Sequence, residues 1–188
     1  MDNRDRLAAE ALKLFAQNGY EAVGVAQIAA AAQVTKPTLY HYFGSKAGLL
    51  AAVLQDEFAA LFDRVGPAAR YEGDLPLTLY RLARAYFDLA LGRPLFYRLQ
   101  LALWFGPPGS EALAAVRPHG ERQVKIIEDC FRAAVKDHGN IRGREPRYAA
   151  TFLGMINTLI GLGSNGYLEL NDELVFNSVH QFMHGIYS

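Results

Sequence analysis

A single cysteine, Cys130, leaves this chain unable to form an intramolecular disulfide, and no partner at CxxC spacing is available to hold a metal. Nothing here points to an oxidising compartment, and the thiol is expected to be a small buried apolar group. No run reaches the roughly 18 consecutive apolar residues that span a bilayer. The opening Met-Asp-Asn-Arg-Asp-Arg passes into Leu7 without the uninterrupted apolar core of a signal peptide. A soluble cytoplasmic protein with no membrane partner is the expectation. Net charge is missing too, with 19 basic side chains against 19 acidic, which argues against a non-specific coat for nucleic acid. No GxSxG elbow, P-loop, HExxH or metal quartet occurs, so the motifs name neither an enzyme nor a cofactor.

One absence is local. From Ala22 to Gln55 there is no Asp or Glu, while Lys36, Lys46 and the titratable His41 lie in that window. A surface built there can face phosphate without repulsion of its own making.

What the chain does have is helical periodicity, with no sustained period-2 strand pattern. Leu7, Ala11, Leu14 and Phe15 recur at helical spacing, and Asn18-Gly19 supplies a stop. A short second helix carries Ile28, Ala29 and Ala32. A third starts near Thr35, whose hydroxyl can cap it, with Pro37 in the first turn where its missing N–H costs nothing. Gly44-Ser45 closes that helix, and Ser45 can cap a longer fourth one running from Leu50 through Val65 to Gly66-Pro67. Further helical pattern covers Leu75 to Leu91, Leu95 to Phe105, Ser110 to His138 with a break or bend near Pro118, Arg147 to Gly163 and Asp172 to Tyr187.

Two short helices joined by a tight turn, supported by a preceding one, form the layout of a helix-turn-helix unit. At 100° per residue, Leu39 and Phe43 share a side that can meet Leu14, Phe15, Ile28 and Val34. Thr38 and His41 then point away, with Tyr40 and Tyr42 on the flanks and Lys36 at the amino end. Hydroxyl, imidazole, phenol and ammonium groups suit base edges and phosphates, and Pro37 offers an apolar surface to a thymine methyl. Lys46, just past the helix, is expected against the DNA backbone. The bland alternative is that Tyr40, Tyr42 and Phe43 simply pack a small core.

The run Ile28-Ala29-(four residues)-Val34-Thr35-Lys36-Pro37-Thr38-Leu39-Tyr40-His41-Tyr42-Phe43-Gly44-Ser45-Lys46-(two residues)-Leu49-Leu50 resembles the DNA-binding signature of the TetR family of regulators. Leu14-Phe15-(three residues)-Gly19-Tyr20-Glu21 matches as well. The resemblance implies an all-α fold of roughly nine or ten helices. Its N-terminal three-helix helix-turn-helix domain, residues 1–48, is followed by a ligand-binding and dimerisation domain, residues 49–188. Carried over by position, it implies DNA contact by Lys36, Pro37, Thr38, Tyr40, His41, Tyr42 and Lys46. Two departures stand out: Gln33 occupies the turn where the family usually has glycine, and Gly24 stands where a hydroxyl usually caps helix two.

Aromatics are dense from Phe58 to Trp104. Core packing is their ordinary fate; under the family resemblance, Phe62, Phe87, Trp104, Phe131, Phe152 and Asn157 are candidate walls of a pocket for a largely apolar small-molecule effector. The penultimate helix sets Ala150, Gly154, Thr158, Gly161 and Asn165 along one stripe, and apolar residues lie on its other sides. With Val175, Val179, Phe182, Met183 and Ile186 on the last helix, this pattern fits a four-helix interface between two copies. A single-chain core is the alternative. His180 and His184 stand four apart, a spacing open to a metal, but no third ligand accompanies them and surface or interface histidines are expected.

The resulting expectation is a ligand-responsive, sequence-specific regulator: a homodimeric repressor on palindromic double-stranded operator DNA, needing no cofactor. Two rivals remain at this point. One is a ligand-binding or scaffolding dimer with a degenerate DNA-binding domain, motivated by Gln33 and Gly24; the other is a helical enzyme whose groups converge unseen.

Overall fold

A computed structural model describes residues 2–185; Ile186, among the expected interface residues, lies outside them. The described residues form α1 (Asn3–Asn18), α2 (Val25–Ala31), α3 (Lys36–Phe43), α4 (Lys46–Ala68), α5 (Leu75–Gly92), α6 (Pro94–Trp104), α7 (Glu111–Ala134), α8 (Glu145–Ser164) and α9 (Asp172–His184). A short 3-10 turn at Gly139–Ile141 interrupts the connector before α8, and no strand occurs among these residues. None of the helices is long and apolar enough to cross a membrane.

The helix starts are written in side chains. Asp2, Thr35, Asp74 and Asn171 each accept a hydrogen bond from an amide of the following first turn, and Ser45 Oγ accepts from the Gly48 amide at 2.9 Å. Each satisfies an amide that the helix itself leaves unpaired. Helix α2 begins at Gly24 with no such side-chain cap.

Two boundaries differ from expectation at prolines. Helix α4 continues through Pro67 to Ala68, and α7 runs unbroken past Pro118 to Ala134. Proline removes one i→i−4 bond, a loss of about 3 kcal/mol or more in a helix interior. At Pro67 that loss falls in the last turn, while α7 is anchored by buried Ala112 and Val116 before its proline and by buried Ile127, Cys130 and Phe131 after it.

The chain packs as two compact units, one running up to Ala59 and including Leu95–His119, the other made of Ala60–Pro94 and the residues from Gly120 onward. In the first, α1, α2 and α3 contact one another in all three pairings. Their core is Leu7, Ala11, Phe15, Ile28, Ala29 and Leu39, continued by Leu49, Leu50 and Leu54. In the second, α5 packs on α8 and α9. There Phe131, Phe152 and Phe182 form a ring cluster, the last two with centroids 5.0 Å apart at 66°.

Candidate nucleic-acid interface

Helix α3 divides along the line its periodicity sets. Leu39 is completely buried, whereas Tyr40 is 49% and Tyr42 42% exposed, and Lys36, Pro37 and His41 are exposed as well. Thr38 is half-buried, its hydroxyl sharing a hydrogen bond with that of Thr35 at 2.9 Å. The His41 ring meets Tyr42 edge-on, with centroids 5.3 Å apart. Core-filling roles for Tyr40 and Tyr42 are thereby removed. Phe43 is less inward than expected: it is half-buried, with the Arg4 guanidinium 5.8 Å over its ring. Leu14 and Val34 are half-buried too, so of the four expected partners Phe15 and Ile28 are the ones buried along with Leu39.

The turn before α3 explains how Gln33 is accommodated. Its φ is +54°, the left-handed region that L residues enter at a cost. The Gln33 amide donates to the Ala30 carbonyl at 3.0 Å and the Val34 amide to that of Ala29 at 2.9 Å. These two bonds constitute a Schellman closure, usually completed by glycine. Glutamine therefore makes the same turn under strain.

Lys46 departs from expectation. Its Nζ donates to the carbonyls of Tyr20 at 3.0 Å and Val23 at 3.2 Å, and lies 4.0 Å from the centroid of the Tyr20 ring. An ammonium held by two carbonyls and a ring face closes the loop after α1 onto the start of α4. Two of its three N–H groups are thus spent inside the head, where the side chain acts as a clamp. Tyr20 in turn donates its hydroxyl to Glu111 in the first turn of α7, and burial together with that carboxylate pushes the phenol well above its usual pKa.

Gly48 is a positional requirement that sequence reasoning passed over. A Cβ there would stand 2.0 Å from the Phe43 carbonyl oxygen, inside any permissible contact. Only glycine lets α4 start this close to the end of α3. The one hint was its place in the gap of the matched motif.

Residues 7–53 match the family described as bacterial regulatory proteins, tetR family. The transcriptional activator FasR of Mycolicibacterium smegmatis is 37% identical over 136 residues, 72% of this chain and 58% of that relative. The chain thus spans little more than half of FasR. Among solved structures, FadR from Bacillus subtilis in complex with stearoyl-CoA aligns with a TM-score of 0.83 at 18% identity, over 97% of this chain and 99% of that one. AibR in complex with isovaleryl coenzyme A and operator DNA gives 0.72 at 22%, over 96% and 97%. The chain belongs to the TetR family.

In this TetR-family chain the residues expected around an effector are placed as follows. Phe62, Phe87, Phe131 and Phe152 are buried, Asn157 is half-buried, and all five belong to the second unit. The Arg122 guanidinium caps the Phe62 ring at 4.0 Å. Trp104 is 37% exposed and belongs to the first unit, at the end of α6. Phe131 and Phe152 meet each other and Phe182 in the same ring cluster. Cys130 is buried, and burial pushes its thiol up to about 11.

On α8, Ala150, Gly154 and Thr158 are exposed and Gly161 is half-buried, with Asn165 exposed just past its end, so the small-residue stripe faces outward. On α9 the expectation needs correcting. Val175 is fully buried in its own chain and Val179 is 5% exposed. Neither has appreciable surface for a second copy, because this side of α9 lies toward α5. Phe182 and Met183 remain half-buried. Met183 lines a cavity of about 340 Å³ with Pro76, Leu77, Tyr80, Phe176 and His180. His180 and His184 are exposed, their ring centroids 4.5 Å apart, and no cluster of three metal-binding side chains occurs among the described residues.

Proposed function

We propose that this chain is a sequence-specific DNA-binding transcriptional regulator acting as a homodimeric repressor. In this reading residues 1–48 read the operator, and residues 49–188 pair the two copies and bind a largely apolar small-molecule effector. The observation that carries it is the outer side of α3: Lys36, Pro37, Tyr40, His41 and Tyr42 exposed together over a buried Leu39, in a stretch free of carboxylates. Such a surface offers base-edge and phosphate hydrogen bonds at once. The Schellman bonds at Gln33 speak against the degenerate-head alternative, since the turn that aims α3 is formed without its usual glycine.

An acyl thioester is the effector class we favour, because neighbours of the same fold carry stearoyl-CoA and isovaleryl coenzyme A and the second unit is rich in buried aromatic and aliphatic side chains. Helix α4 bears Lys46 near its start and Phe62 in its second half, so a shift of this helix on effector binding is the expected lever. The effector must bind the released state more tightly, since equal affinity for both states shifts nothing.

Footprinting on the DNA upstream of the chain's own gene, with Tyr40→Ala and His41→Ala beside the parent, tests the reading. Each substitution is expected to cost about 1–3 kcal/mol on the protected site and much less on random DNA. Equal losses on both would remove base reading from α3, and no protected site at low salt would leave the scaffold alternative standing.

A further inference from the structure

Among the buried tyrosine hydroxyls, the fold treats two differently. Tyr20, 4% exposed, donates a hydrogen bond from its hydroxyl to Glu111. Tyr86, fully buried on α5, has no hydrogen-bond partner for its hydroxyl among the described residues. The other buried polar side chain of α5, Thr78, satisfies itself by donating to the Asp74 carbonyl at 2.6 Å. The rigid ring of Tyr86 carries its hydroxyl too far from its own backbone for such an i−4 bond.

Its direction is fixed by helix geometry. At 100° per residue, Tyr86 falls in the middle of the arc covered by the buried Leu75, Leu79, Leu82, Ala83 and Ala90. The opposite side carries the Arg84 pairs with Asp88 and Asp172. The phenol therefore points into an apolar interior. Phenylalanine would fill the same space without stranding a polar group, whose burial unpaired is unfavourable. A hydroxyl here calls for an acceptor that the described residues do not supply.

We infer that Tyr86 is the hydrogen-bond donor that holds the carbonyl oxygen of an acyl effector in the interior of the second unit. This rests on the effector reading above and specifies which atom of the guest is recognised. Burial pushes the phenol up from its usual pKa, so it remains protonated and keeps its O–H available to donate. The carbonyl it fits is neutral. A thioester oxygen needs one donor, whereas a carboxylate buried beside a lone phenol would keep an uncompensated charge. The chemistry thus selects the thioester over the free fatty acid.

The test is calorimetric binding of stearoyl-CoA, isovaleryl-CoA, stearate and the thioether S-octadecyl-CoA to the full chain and to Tyr86→Phe, with thermal melting of both unliganded proteins. A thioester should bind the parent and lose about tenfold in affinity to Tyr86→Phe, as removal of one hydrogen bond does. The thioether should bind both proteins equally, because it lacks the oxygen, so the two deletions are non-additive. Unliganded Tyr86→Phe should melt at the same temperature or higher. Equal thioester affinity for the two proteins overturns the proposal. So does a fall of several degrees in melting temperature, which would mean the hydroxyl is already paired in the resting protein. Binding of stearate alone overturns the neutral-carbonyl assignment. If the parent binds none of the four, the acyl effector class itself fails and the role of Tyr86 falls with it.

Discussion

At the scale of single residues, two side chains hold the head together in ways that can be measured apart from DNA. Gln33 sits at φ +54° with both Schellman bonds made, so Gln33→Gly keeps the bonds and removes the left-handed penalty of about 1–2 kcal/mol, less what glycine loses in the unfolded chain. A net gain of about 0.5–1 kcal/mol is expected in urea denaturation, and a loss would mean the glutamine side chain contributes something the turn geometry does not show. Lys46 works in the opposite direction. Removing its ammonium strands the Tyr20 and Val23 carbonyls and the Tyr20 ring, so Lys46→Ala should destabilise the protein by about 1–3 kcal/mol. The salt dependence of DNA binding separates this from a phosphate contact: loss of a phosphate ligand lowers the slope by about one. A clamp leaves the slope as it was, and a full unit of change at unaltered stability would return Lys46 to the DNA surface.

Elements are where sequence and structure part company in an instructive way. The buried Leu39 beneath exposed Tyr40 and His41 was legible, because periodicity alone separates the two sides of a short amphipathic helix. So were the Thr35 and Ser45 caps, whose chemistry is local. Pro67 and Pro118 misled because a proline's local cost is visible in sequence, while the packing that outweighs it is not. Val175 and Val179 misled for a related reason: α9 is apolar on more than one side, and only tertiary contact decides which side its own chain consumes. Gly48 was invisible, since its constraint comes from the carbonyl of Phe43 across the α3–α4 junction. Gly48→Ala forces backbone to move at that junction, at about 1–3 kcal/mol. Because the shift re-aims α3 relative to α4, operator affinity should fall by more than the stability loss explains in protein that is still fully folded by circular dichroism. Unchanged affinity would show that α3 is positioned by α1 and α2 alone.

For the whole molecule, the open question is whether two copies associate through α8. The glycines of that helix argue for it. An added Cβ at Gly154 or Gly161 meets nothing within 4 Å in its own chain. Each glycine nonetheless weakens a helix interior by about 0.5–1 kcal/mol relative to alanine. Within one chain that is a cost without a return; close approach of a second α8 supplies the return, with Ala150 and Thr158 widening the shallow track. Light scattering should therefore find a dimer at micromolar concentration. Gly154→Arg, whose side chain projects into open space in the isolated chain, should give a folded monomer with an unchanged helical spectrum. Operator binding should weaken by a hundredfold or more, in the range of about 10²–10⁴ lost when two linked contacts become one. If Gly154→Arg remains dimeric, α8 does not pair the copies. The groove formed by Leu77, Tyr80, Phe176 and Met183, with Phe176 61% exposed, then becomes the surface to mutate next.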